Sequence, residues 1–188
     1  IAHGLSSAPE MMIVKRIDSS GDWNVYNSDL GPTKYLVLDT NASVYTASNI
    51  WNDTAPTSTV FSVGNHPTTN ANGGSFIAYL FTSITGFSKV GSYVGNNPTA
   101  VSVNLGFNPD MVVIRNTTNG SDWTTYDKQR SPTGNFDDYL YLNTTGAQGT
   151  TGGNWVTPTA TGFTTNSSGG SMVNENGSTF VYLAFKQN

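Results

Sequence analysis

Apolar residues along this chain gather in short runs, each closed off by Gly, Pro, Asn, Asp or Ser. No window carries apolar residues at i, i+3, i+4 and i+7 over two turns, so the helical period is missing. The runs predict strands over 11–17, 23–27, 35–39, 59–63 and 75–82, then over 101–105, 111–116, 123–127, 138–142, 161–165 and 178–185. Met11–Val14 and Met111–Ile114 are apolar on successive residues, which predicts strands covered on both faces. Ser19-Ser20-Gly21-Asp22 and Asn119-Gly120-Ser121-Asp122 supply turn chemistry between strands, and each predicts a hairpin. Pro32, Pro56, Pro98, Pro132 and Pro158 are expected in loops, where a missing N–H does no harm. Many short strands with Gly and Pro punctuation predict an all-β fold, a β-sandwich or jelly roll.

The pattern repeats. Pro9-Glu10-Met11-Met12-Ile13-Val14-Lys15 is matched by Pro109-Asp110-Met111-Val112-Val113-Ile114-Arg115, and Asp22-Trp23-Asn24-Val25-Tyr26 by Asp122-Trp123-Thr124-Thr125-Tyr126, both 100 positions on. Tyr35-Leu36-Val37-Leu38 meets Tyr139-Leu140-Tyr141-Leu142, and Gly74–Phe81 meets Ser178–Phe185, both 104 positions on. Trp51 pairs with Trp155, so all four tryptophans fall into matched pairs. Two homologous halves follow, residues 1–85 and 86–188, the second including a linking strand over 86–96. No counterpart of that strand precedes the first half. Either it lies upstream, or residues 86–96 serve both halves, or a neighbouring subunit supplies it. One sandwich with a pseudo-twofold and two tandem sandwiches both fit the short link near Asn96-Asn97-Pro98. The Gly/Asn/Thr-rich loops Asn65–Gly74 and Gly146–Asn154 are expected to be mobile or functional, and the second half adds four residues around Thr133–Asp138.

Composition narrows the function. Only 11% of the 188 residues are charged, with eight Lys and Arg against twelve Asp and Glu. Nucleic acid needs a basic patch, and here Lys15-Arg16 and Lys128–Arg130 are the only local groupings. Aromatics at 12% argue against disorder. The chain has no cysteine, which removes disulfides, thiolate metal sites and cysteine nucleophiles. No apolar stretch reaches the ~18 residues of a membrane span. Ile1 neither initiates a chain nor opens a signal peptide, so a segment or processed product of a longer protein is expected.

Candidate chemistry is sparse. His3 and His66 have no counterparts in the other half, and no nucleophile elbow accompanies them. Glu10 and Glu175 are the only glutamates, and Glu10 matches Asp110 at a strand entry rather than a catalytic pair. Asp22 and Asp122 read as turn residues capping their own backbone. Asp137-Asp138 lacks the ligand spacing of a calcium loop, so no cofactor is expected, with Ca²⁺ on Asn and Asp loop oxygens as the weak alternative. Aromatics carry the best case for binding, since exposed rings stack on sugars while Asn and Asp take the hydroxyls. Trp23 and Trp123 are expected in the core. Trp51 and Trp155 sit in polar surroundings, and Tyr26 and Tyr126 alternate away from the first pair and are expected to be exposed. Trp51, Trp155, Tyr26, Tyr126, Asp22 and Asp122 are therefore the candidate ligand contacts.

Pro9-x-Met-Met-Ile-Val-Lys-Arg, Asp22-Trp23-x-x-Tyr26, Tyr35-Leu36-x-Leu38 and the closing Gly73-x-x-Phe-x-Ala-Tyr-x-Phe resemble a tandem repeat of predicted tail-fibre and other virion proteins of marine bacteriophages, notably cyanophages. Such repeats often sit beside concanavalin- or laminin-G-like segments, and Gly86–Asn96 resembles the element that separates them. The resemblance covers both halves and brings no catalytic residues. It implies a non-enzymatic virion module at the virion surface or outside the cell, in a tail fibre, spike or capsid decoration. Its partners would be other virion subunits, as a homo-oligomer, and a host-surface glycan, with no nucleic acid and no membrane insertion. A lectin-like module of a secreted or cell-surface protein is the alternative.

Overall fold

The computed structural model describes residues 1–131 and 134–187. Pro132, one of the expected loop prolines, and Thr133, the first residue of the inserted segment Thr133–Asp138, lie outside the described residues. The fold is all-β and sandwich-like, in antiparallel sheets of five, six and three strands. The chain divides into two compact units, Ile1–Thr82 and Ser83–Asn188.

The first unit runs β1 (Met11–Arg16), β2 (Trp23–Asn27), β3 (Lys34–Val37), β4 (Tyr45–Thr46), α1 (Ser48–Trp51), α2 (Pro67–Asn70) and β5 (Phe76–Phe81). Its sheet has the order β4-β3-β2-β1-β5. β1 is an inner strand between β2 and β5, and Met11, Met12 and Val14 are buried on successive or near-successive positions. Met12, Val14, Tyr26, Ile50, Trp51 and Phe61 form its core. The expected strand over 59–63 does not form. Val60 makes an isolated bridge to Ala2, and Phe61 reaches the core from extended chain.

The second unit runs β6 (Ser88–Val94), β7 (Val101–Asn104), β8 (Met111–Asn116), β9 (Thr124–Asp127), β10 (Asp138–Tyr141), β11 (Gly149–Thr150), β12 (Val156–Thr159), β13 (Gly162–Thr165), α3 (Gly170–Val173) and β14 (Thr179–Phe185). Six strands order as β11-β10-β9-β8-β14-β6 and three as β12-β13-β7. Val112, Ile114, Tyr126, Phe180 and Tyr182 from the first sheet share one core with Val103, Val156 and Phe163 from the second. Pro158 is not in a loop. It pairs with Phe163 in β12, an outer strand of its sheet, where a residue without an N–H is tolerated.

Both expected hairpins form, β1–β2 and β8–β9. The α-helices α1, α2 and α3 span four residues each, too short to print a 3.6-residue period on the sequence. The loop 65–74 holds α2, and 146–154 holds β11. β6 pairs with β14 alone, so residues 86–96 serve the second unit only.

Candidate recognition site

Positions matched in sequence are placed differently in the two units. Trp51 is fully buried at the end of α1 and meets Tyr26 edge to face at 5.9 Å. Tyr26 is 3% exposed and Tyr126 is fully buried, stacked on Phe136. The expectation that these two tyrosines face solvent is therefore corrected: their side of the strand faces the core, and buried rings offer no face to a ligand. Burial holds both phenols above their ordinary value, Tyr126 well above it. Trp123 is buried as expected, under the guanidinium of Arg115. Trp23 is only half-buried. It stacks on exposed Tyr79 at 6.4 Å, with the Lys15 ammonium over its ring at 5.6 Å.

Trp155 stays partly exposed. It stacks on Tyr139 at 5.3 Å, with Tyr141 5.0 Å beyond Tyr139. β10 sets Tyr139 and Tyr141 two residues apart, on one side of the sheet. Burial, with the Tyr139 hydroxyl and the Asp122 carboxylate as neighbours, pushes the Tyr141 phenol up. Asp122 does not close a turn on itself. Its Oδ1 accepts from Asn143 Nδ2 at 2.7 Å, and Asn143 Oδ1 accepts from Trp123 N at 2.9 Å. In the first unit Asp39 takes Asn143's place, its Oδ1 accepting from Trp23 N at 3.0 Å, while Asp22 is exposed. The structure thus brings Trp155 and Asp122 into one neighbourhood through Tyr139 and Tyr141. It leaves Trp51, Tyr26 and Tyr126 inside.

Tyr35 and Tyr45 form a further stack at 5.2 Å, with Tyr45 41% exposed. Sequence reasoning passed over Tyr45 because its counterpart 104 positions on is Gly149, so the repeat gave no signal. A polar depression of about 500 Å³ lies beside α1 and α2, lined by Ser48, Asn49, Asn52, Asp53, Asn65 and Asn70 with Val63 and Gly64.

Groups that titrate or ligate elsewhere have structural partners here. His66 caps α2, its Nδ1 accepting from Thr68 N at 3.3 Å. His3 Nδ1 accepts from Leu5 N at 3.2 Å. Asp110 pairs with Lys128 at 2.7 Å and accepts from Gln187 N. Asp138 accepts from Thr150 Oγ1 at 2.7 Å. Among the described residues no group of three or more His, Asp or Glu side chains converges to hold a metal ion.

A family model matches the chain over residues 1–188, that of DUF7483, a domain of unknown function. The chain belongs to that family. No curated protein and no solved structure matches it. Membership in DUF7483 therefore brings no borrowed site, and the geometry above carries the functional reading. Among the described residues no helix is long and apolar enough to cross a membrane.

Proposed function

We propose that this protein is a non-enzymatic structural module of a virion appendage, in a tail fibre, spike or capsid decoration. The observation that carries the reading is the open side of the first sheet. β5 ends that sheet, and its Ile77 and Tyr79 side chains are 37% and 44% exposed. An exposed apolar sheet edge is a hazard in a solitary protein and a joint in an assembled one. The similarity to marine phage virion repeats, and a surface wetted by amides and hydroxyls rather than charges, support the same role. The test is location. Peptides of this chain recovered from density-purified particles, in proportion to other structural proteins, support the reading. Recovery only from the particle-free fraction overturns it.

Glycan recognition is the second reading, favoured by the Trp155–Tyr139–Tyr141 cluster beside Asp122. A sugar ring would stack on these partly exposed rings while the carboxylate accepts from its hydroxyls. Binding to a glycan panel and to intact bacterial cells tests it. Trp155→Ala should abolish saturable binding while the fold persists. Unchanged binding by that variant removes the cluster from the reading.

A further inference from the structure

The two units carry matching ladders with one difference at the edge. β8 pairs with β14 from Met111↔Phe185 to Asn116↔Phe180, and β1 pairs with β5 from Met11↔Phe81 to Arg16↔Phe76. Phe76, Ala78 and Leu80 thus stand where Phe180, Tyr182 and Ala184 stand in the second unit. β14 has a neighbour on each side, β8 and β6, whereas β5 is the last strand of its sheet. Ile17 N–H donates to the Ser75 carbonyl at 2.9 Å, so odd-numbered residues of β5 turn their backbone groups toward β1. By the alternation of an antiparallel ladder, Phe76, Ala78 and Leu80 turn theirs outward. Their counterparts in β14 oppose Tyr93, Gly91 and Lys89 of β6.

A second difference lies just inside that edge. In the second unit the Tyr93 ring of β6 enters the core. It stacks on Phe180 at 5.0 Å, meets Phe163 edge to face at 6.1 Å, and its hydroxyl donates to the Val173 carbonyl at 2.7 Å. In the first unit a cavity of about 480 Å³ opens at the corresponding place. Val14, Phe61, Thr69, Phe76, Ala78 and Leu80 are among its walls. These match the residues around Tyr93: Phe76 for Phe180, Phe61 for Phe163 and Thr69 for Val173. An outward row of backbone donors and acceptors and an apolar hole beside it are the two parts of a strand-addition site. Main-chain bonds supply affinity, and a side-chain pocket supplies selectivity.

We propose that the β5 edge accepts an antiparallel β-strand of the β6 pattern from polypeptide outside residues 1–188, with an aromatic side chain of that strand inserted in the cavity. β6 itself is committed to β14 along its whole length, Ser88 to Val94. The incoming aromatic residue lies opposite Phe76, and the residue two positions before it lies opposite Ala78. An added Cβ at Gly91 of β6 would stand 2.6 Å from the Tyr182 hydroxyl and displace that ring. Ala78 replaces that tyrosine in the first unit, so the incoming strand is free to carry a larger residue there. This proposal rests on the assembly reading and names the partner of its open edge.

The probe is a labelled peptide with the sequence of residues 87–96, Phe-Ser-Lys-Val-Gly-Ser-Tyr-Val-Gly-Asn, titrated onto the 188-residue chain. Saturable one-to-one binding is expected, with slowed hydrogen exchange at the amides of Phe76, Ala78 and Leu80. Replacing the peptide's tyrosine by alanine should weaken binding at least about tenfold, since a buried aromatic anchor carries much of such an interface. Ala78→Pro removes the outward N–H while leaving the β1 side of the strand paired, and should abolish binding. Should that variant misfold, Ala78→Trp fills the cavity instead and should weaken binding of the tyrosine peptide alone. Three outcomes overturn the proposal: no binding at millimolar peptide, equal binding by the alanine peptide, or a chain dimer that protects β5 without peptide. Peptide capture and recovery from particles are independent measurements, so failure here is distinguishable from failure of the virion reading.

Discussion

At the scale of single residues, Trp51 and Trp155 show how one sequence position serves two ends. The Trp51 ring is enclosed by the core of the first unit, against Tyr26. Trp51→Ala should therefore cost about 3–5 kcal/mol, the usual range for emptying a buried aromatic site. Urea unfolding measures it, and a cost under about 1 kcal/mol would place the ring outside the core. The variant is unsuitable as a binding control for that reason. Glu175 offers a residue-scale prediction in pH. Its Oε2 accepts from Ser178 Oγ at 2.7 Å and from Asn119 Nδ2 and Asn116 Nδ2 at 2.9 Å each. These bonds, Ser178's first, hold its carboxyl below the ordinary glutamate value. The folded-state value is thus depressed. Its stabilisation is fully present above the unfolded value of about 4.3 and is lost as pH falls through the lowered one. Glu175→Gln should flatten that part of the acid limb in stability measured against pH. An unchanged acid limb would mean that other carboxylates set it.

At the scale of elements, the alternating runs identified most strands because burial follows the pleat. Met11–Val14 and Met111–Ile114 read as covered on both faces, and β1 and β8 are inner strands. What alternation cannot say is which side of a strand is the core. Trp23 and Tyr26, three apart, face opposite ways. Giving the tryptophan's side to the core turned Tyr26 outward; in the second unit both sides are covered, and Trp123 and Tyr126 are buried alike. Trp155 and Asp122 were legible as types, but Tyr139 and Tyr141, which join them, were read only as strand. The run 59–63 looked like a strand, yet only Val60 finds a bridging partner. β12 escaped notice because its proline is forbidden only in inner strands. Close backbone approach gives this scale its prediction. A Cβ at Gly162 would fall on the Val103 carbonyl oxygen, inside the β13–β7 ladder. Gly162→Ala should destabilise the protein by at least about 2 kcal/mol, in the range of strained backbone sites. Loss should appear first as faster exchange at the amides of β7 and β13. A variant as stable as the parent would show that the ladder yields without cost.

For the molecule as a whole, the two units differ in how completely their sheets are closed. The second unit has a core filled from two sheets, and its seven-residue strand β14 is held on both sides. The first has a single sheet whose last strand is held on one side, and a cavity of about 480 Å³ at its core margin. Cavities forfeit contacts, and an edge strand opens without breaking a second ladder, so local opening should cost less in the first unit. Native-state hydrogen exchange should place Ile13 and Lys15, whose amides bond to β5, below Val113 and Arg115, whose amides bond to β14, in opening free energy. A strand bound at β5 would narrow that gap, because a ligand that binds only the folded unit stabilises it by mass action. Equal protection of the two pairs in the unliganded chain would mean that both units open together. It would also mean that the open edge of β5 costs the first unit nothing in stability.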